Sequence, residues 1–291
     1  MDTHQPLVVI AGPTASGKSQ IAMQVAAKHN GEIICADSRT VYRGMDIGTA
    51  KPSKVDQKQI PHHMLDVVKP DQRFTVADFQ RMTNKIIKDV RLRGKLPILV
   101  GGTGLYIDSV ILDYKFDVDY DKDLRKKLEA TSLEELYVYC KTNNISLPKN
   151  HKNKRHVVRN IERNGVVVRS NDYFLSTSIV VAIATKKDEL RKRIVQRTEH
   201  FFESGVVKEA KLLGEKYGWK HESMSGNIYP IVHEMLDEKL TMQQAKEKYI
   251  TQDWRLAKKQ LTWLKRHDFI QWKSRDEAFE YITECLDARQ D

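Results

Sequence analysis

The chain has 291 residues, a formal net charge of +10 and 40% hydrophobic residues, enough to bury the core of one large domain carrying a smaller insertion. No apolar run reaches the roughly 18 residues a membrane helix needs, Met1–Pro6 lacks a charged-then-apolar leader pattern, and Cys35, Cys140 and Cys285 have neither disulfide-framework nor zinc spacing. A membrane protein, a disulfide-stapled domain and a zinc finger are thereby set aside, a reducing cytoplasm is expected, and the positive surplus points to a polyanionic partner.

The pattern of the first hundred residues alternates strand and helix. Leu7–Ala11 is an apolar β-branched run that leads into Gly12-Pro13-Thr14-Ala15-Ser16-Gly17-Lys18-Ser19. Glycines at both ends let backbone N–H groups turn inward, Lys18 brings a point charge, and the Ser19 hydroxyl is placed to ligate Mg²⁺, so this is a phosphate cradle. Gln20–His29 then reads as a helix through Ile21, Ala22, Val25 and Ala26. A second strand, Glu32–Ala36, ends in Asp37-Ser38, at the carboxyl edge where open parallel sheets bind ligands. Residues 39–73 read as a long irregular loop, of the kind usually kept for function. Thr75–Arg93 reads as a helix, Pro97–Val100 as a third strand, and Gly101-Gly102-Thr103-Gly104 as a second glycine loop opening another helix.

From about Asp117 to Asn171 the pattern changes to charged helices at Lys122–Ala130 and Leu133–Thr142, then a basic stretch from Pro148 to Arg169. Ser178–Ala184 returns as a strand, followed by helices near Lys187–Phe202, Val206–Tyr217, Ile228–Leu236 and Met242–Arg266, a short strand at Phe269–Trp272 and a terminal helix. The expected fold is therefore α/β, a P-loop NTPase-like parallel sheet flanked by helices over 1–116 and 175–291, with an inserted all-helical domain over 117–174.

A phosphate cradle alone leaves an ATP-binding NTPase, a small-molecule kinase and a diphosphate-consuming transferase open. The runs that follow it narrow the choice: Val41-Tyr42-Arg43-Gly44-Met45-Asp46-Ile47-Gly48-Thr49-Ala50-Lys51-Pro52, then Pro61-His62-His63-Met64-Leu65-Asp66, Phe74–Phe79 and Gly101–Tyr106. In this order they closely resemble the tRNA dimethylallyltransferases of the shorter bacterial type. The resemblance continues more weakly in Asn153–Glu162 and Leu256–Leu264.

That resemblance implies transfer of a dimethylallyl group from dimethylallyl diphosphate to N6 of adenine 37 in the anticodon stem-loop of tRNA, with Mg²⁺ as cofactor, by a monomer in the cytoplasm. It implies that Gly12, Thr14, Ala15, Ser16, Gly17, Lys18 and Ser19 hold the diphosphate and that Ser19 also meets the metal. Asp37 is expected to be the general base, although an acid in this place of many P-loop proteins only binds Mg²⁺. Thr103 matches the position that places diphosphate or adenine, and Lys18 serves catalysis as well as binding. Ser38, Thr40 and Tyr42 are expected at the extruded base, a packed Tyr42 being the alternative, with Lys154, Arg155, Arg159, Lys258 and Lys259 gripping tRNA phosphates in the inserted domain and near the C-terminus.

The chain departs from the family pattern at three places: Thr40 replaces a glutamine, Ser225 stands where a diphosphate-binding arginine is usual, and Trp254 replaces another arginine beside Arg255. Losing one bidentate contact costs about 1.5 to 3 kcal/mol, and Arg43 and Lys220 are the expected substitutes. The alternatives are an ATP-dependent small-molecule kinase and a tRNA-binding protein with impaired catalysis.

Overall fold

The computed structural model describes residues 5–116, 121–163, 177–226 and 228–289. Arg169 of the basic stretch and the domain boundaries expected at 117 and 174 lie outside those residues.

Among the described residues, six strands form one sheet in the order β3-β2-β4-β1-β5-β6, every pair parallel. The strands are β1 (Leu7–Ala11), β2 (Gly31–Ala36), β3 (His62–His63), β4 (Leu96–Gly101), β5 (Ser178–Ile183) and β6 (Gln271–Lys273). The central strand β1 is buried along its whole length, as expected of a parallel strand covered on both faces. On one face lie α1 (Lys18–Lys28) and the C-terminal helix, whose Ala278, Ile282 and Leu286 pack with Ile21, Val25 and Ile98. The other face is covered by α3 (Val76–Leu92) and α4 (Gly104–Ile111) through Phe79, Ile87, Ile107 and Val110. Phe79 and Tyr106 stack at 4.1 Å between these two helices.

The loop expected over 39–73 contains two elements that sequence periodicity does not mark. One is the short helix α2 (Lys54–Gln59), started by a Ser53–Asp56 capping box, and the other is β3, which extends the sheet beside β2. A buried carboxylate ties that edge together. Glu32, 2% exposed at its side chain, meets Arg93, Lys95 at 2.8 Å and His63 at 2.7 Å, and the hydrogen bonds from Arg93 hold its carboxyl well below the usual range.

After β5 come α8 (Lys187–Glu203), α9 (Val206–Tyr217), a 3₁₀ turn at Glu222–Ser225, α10 (Ile228–Leu236), α11 (Met242–Leu264) and α12 (Arg275–Asp287). A separate core of Val41, Met45, Phe201, Leu213, Tyr229 and Tyr249 joins these helices to the start of the long loop.

The chain divides into two compact units, Asp113–Asn171 and the remainder. The smaller contains α5 (Lys122–Ala130), α6 (Leu133–Thr142) and α7 (Lys154–Glu162), closed around Leu128, Leu136, Cys140, Val157 and Ile161. A two-pronged bond from Arg125 to the nearly buried Glu162, at 2.6 and 2.5 Å, locks α5 to α7. No described helix is long and apolar enough to cross a membrane.

Candidate active site

Because β4 pairs with both β1 and β2, their carboxyl ends carry three loops to one place: the cradle after Ala11, Asp37-Ser38 after Ala36, and the glycine loop after Gly101. These loops open onto one cavity of about 470 Å³. Thr14, Ala15, Gly17, Lys18 and Ser19 line it from the cradle, Asp37, Ser38 and Thr40 from the second loop, and Thr103 from the third.

Local geometry shapes the cradle. Gly17 precedes α1 with φ +89°, a conformation that calls for glycine, and a Cβ there would have to displace the Arg275 side chain 2.9 Å away. Ala15 takes φ +60°, a left-handed value that costs a non-glycine residue energy and is seen where structure around a site enforces it. Gly12 and Ser16 are buried behind the loop and do not line the cavity; they shape the cradle. Arg193 braces it from outside, donating to the Ser16 carbonyl at 3.0 Å.

Lys18 donates to the Pro13 carbonyl at 3.2 Å, and burial pushes its ammonium down to about 8 even though Asp37 and Asp253 pull it upward. Asp37 Oδ1 accepts the Arg39 N–H at 2.8 Å, which fixes the carboxylate at the strand end. Ser38 N–H donates to Thr103 Oγ1 at 3.2 Å, tying the second loop to the third. Thr40 is 5% exposed and its hydroxyl is buried without a partner.

Tyr42 takes the packed alternative: it is 3% exposed in the helical core, bridges to Val68 and does not line the cavity. Arg155 and Arg159 of α7 and Lys258 and Lys259 of α11 are exposed. Lys154 donates to the Glu129 carbonyl at 2.7 Å. Arg43 donates to the Asp66 carbonyl at 2.8 Å, Lys220 is exposed, and neither lines the cavity. Trp254 packs toward Ala15, Leu190 and Ala257, with the Lys258 ammonium 6.0 Å from its ring.

Four residues that sequence reasoning left without a role complete the site. Gln260 of α11 lines the cavity and accepts the Thr14 N–H at 2.8 Å. Arg197 of α8 and Asp253 of α11 line it too and lie 3.4 Å apart. Glu209 of α9 accepts backbone N–H groups of Asp46, Ile47 and Gly48 at 2.9, 2.7 and 2.9 Å and the Tyr229 hydroxyl at 2.9 Å. It thereby pins the loop that brings Gly48, Thr49 and Ala50 to the cavity wall. Their one signal in the sequence is polar residues on largely apolar helix faces, which does not say what they meet.

Residues 40–267 match the family model described as IPP transferase. The chain belongs to the IPP transferase family. A tRNA dimethylallyltransferase of Pelotomaculum thermopropionicum is 37% identical over 283 residues, covering 92% of this chain and 90% of that relative. Another from Anoxybacillus flavithermus is 37% identical over 279 residues with the same shares covered. The full-length tRNA isopentenylpyrophosphate transferase of Bacillus halodurans superposes with a TM-score of 0.76 at 31% identity, covering 98% of both chains. A eukaryotic dimethylallyltransferase acting on tRNA gives 0.75 at 25% identity, covering 89% of this chain and 70% of its own. As an IPP transferase the chain has the expected α/β fold with a parallel sheet, and the kinase alternative is not favoured.

Proposed function

We propose that the protein transfers the dimethylallyl group of dimethylallyl diphosphate to N6 of adenine 37 of tRNA and releases diphosphate. One observation carries the reading: the phosphate cradle, Asp37 and Thr103 all line a single cavity of about 470 Å³. Relatives covering nine-tenths of the chain are tRNA dimethylallyltransferases, which supports it.

The N6 lone pair forms a bond to the allylic carbon while the carbon–oxygen bond to diphosphate breaks and its electron pair leaves with the diphosphate. Asp37 takes the N6 proton, since its carboxylate is fixed by the Arg39 N–H and has a second oxygen to accept with. Lys18 and the N–H groups at the start of α1 stabilise the charge growing on the leaving oxygen. Thr103 holds the Ser38 backbone, keeping the Asp37 loop at the cavity.

Ser19 offers a hard oxygen donor of the kind Mg²⁺ takes together with substrate phosphates. No group of three or more His, Cys, Asp or Glu side chains able to hold a metal occurs among the described residues, so the diphosphate itself is a principal ligand in this reading. Bound Mg²⁺ supplies positive charge to the diphosphate.

The adenine must leave the anticodon-loop stack to reach a carbon held inside protein. In this reading Arg155, Arg159, Lys258 and Lys259, all exposed, grip phosphates and make affinity salt-dependent. We assign the protein to the cytoplasm as a monomer, in keeping with its three free cysteines.

The test is incubation with labelled dimethylallyl diphosphate, Mg²⁺ and unmodified tRNA bearing adenine 37, the modified nucleoside being read by mass spectrometry. Product formation is expected. ATP turnover without product would replace this reading with a kinase, and tRNA binding without product with a binding protein.

A further inference from the structure

We propose that Tyr249 is a further substrate-contacting residue, its phenol hydroxyl donating a hydrogen bond to an oxygen of the departing diphosphate. The inference rests on the transferase reading and adds a neutral donor to the charged groups already placed in that site.

Tyr229 and Tyr249 both line the cavity, and both are almost wholly buried, at 1% and 2% exposed. The Tyr229 hydroxyl is committed, donating to Glu209 Oε1 at 2.9 Å. The Tyr249 hydroxyl has no hydrogen-bond partner among the described residues, although its ring is well held, 5.8 Å from that of Phe201 in the core shared by the helices after β5 and the start of the long loop. A buried phenol oxygen usually finds a partner, because leaving water without one is costly. Packing therefore fixes this hydroxyl at the cavity wall, and what the cavity binds is left to satisfy it.

The surroundings select that partner. Tyr249 stands one turn before Asp253 on α11, and from α8 the Arg197 guanidinium lies 4.9 Å over the same Phe201 ring and donates to Asp253 Oδ2 at 3.4 Å. A guanidinium has donors only, so Arg197 cannot take the phenol proton. The allyl group carries no hydrogen-bonding atom, and the acceptor nitrogens of adenine are neutral. Diphosphate presents charged oxygens, which make the shorter and stronger O–H···O⁻ bond, and the positive charge beside the phenol draws an anion to it.

Burial raises the ionisation of the phenol well above its ordinary value against the pull of Arg197, so Tyr249 keeps its proton and acts as a donor. As the carbon–oxygen bond breaks, the electron pair stays on the leaving oxygen and the proton stays on Tyr249. The hydrogen bond strengthens as charge grows on that oxygen, which favours departure.

The experiment is calorimetric titration of the full-length protein with inorganic diphosphate in Mg²⁺, comparing the parent with Tyr249→Phe. Phenylalanine keeps the ring against Phe201, so urea unfolding should match the parent while diphosphate binding weakens about tenfold. In turnover, kcat should fall by about the same factor while KM for tRNA holds. A second measurement reads the hydroxyl directly: adding diphosphate to the parent should shift the tyrosine absorption band, and the shift should be absent from Tyr249→Phe. Diphosphate affinity within twofold of the parent in Tyr249→Phe, or a band that diphosphate leaves unmoved in the parent, overturns the proposal. A loss confined to tRNA affinity overturns it too, and would turn the hydroxyl toward the base. Tyr249-dependent diphosphate binding in a protein that transfers nothing to tRNA would sink the transferase reading and leave this contact standing.

Discussion

Gln260→Leu tests whether the cradle is held from the far side of the chain. Gln260 Oε1 accepts the Thr14 N–H at 2.8 Å, across 246 positions of sequence. Thr14 is 7% exposed, so removing the acceptor leaves a backbone donor without a partner and largely without water. Such a group costs about 1 to 3 kcal/mol. The cradle can escape that cost by moving Thr14 out of its ligand-ready position. The penalty then falls on diphosphate affinity, as a loss of roughly 5- to 150-fold. The assay is calorimetric titration with inorganic diphosphate alongside urea unfolding. Gln260→Glu keeps an acceptor and adds charge, so its loss should shrink as salt rises while that of Gln260→Leu should not. Diphosphate affinity within twofold of the parent in Gln260→Leu would refute the reasoning.

Three further expectations concern the same site. Asp37→Asn keeps an oxygen for the Arg39 N–H but cannot take the N6 proton; kcat for transfer should fall by about 10²- to 10⁴-fold with diphosphate affinity little changed, and a fall under tenfold would remove Asp37 as base. Lys18, lowered to about 8 chiefly by burial, must be protonated to hold diphosphate. Affinity should therefore be fully present below that value and decline as pH rises through it, with proton uptake on binding near pH 8.5. Since diphosphate titrates too, the comparison is with Lys18→Arg, whose charge stays fixed; identical profiles would defeat the assignment. Gly104→Ala places a Cβ 2.1 Å from Trp263 Cδ1. The indole must move and give up its 2.7 Å bond to the buried Asp108, a loss of about 2 to 5 kcal/mol in urea unfolding; a change below about 0.5 kcal/mol would show that the helix slides freely.

Asp108 illustrates why half of the site escapes sequence reading. It is 2% exposed, burial raises its carboxyl above the usual range, and it holds both Trp263 Nε1 and His267 Nε2, the latter at 3.1 Å. Those bonds tie α4 to the end of α11, the helix that carries Gln260 and Asp253. Nothing local to Asp108 announces the role, because an aspartate inside an apolar helix stretch gives no sign of its partner. The cradle, Asp37 and Thr103 were legible for the opposite reason. Each sits where a buried parallel strand ends, a boundary that β-branched runs and glycines mark locally, and a parallel sheet brings such ends together.

Helices far along the chain supply the other wall, and their residues belong to the site only through packing. Tyr42 shows the same limit in reverse, since a polar aromatic within a motif reads equally as a ligand contact or as packing, and only the helical core around it selects packing. The departures at positions 40, 225 and 254 are therefore to be weighed in space. Ser225 takes part in holding Arg39 to its turn, Trp254 packs against the cradle's outer side, and Arg197 reaches the cavity from a different helix. A cation absent from one position of the pattern is a cation absent from the cavity only if no other element delivers one, and here α8 delivers one.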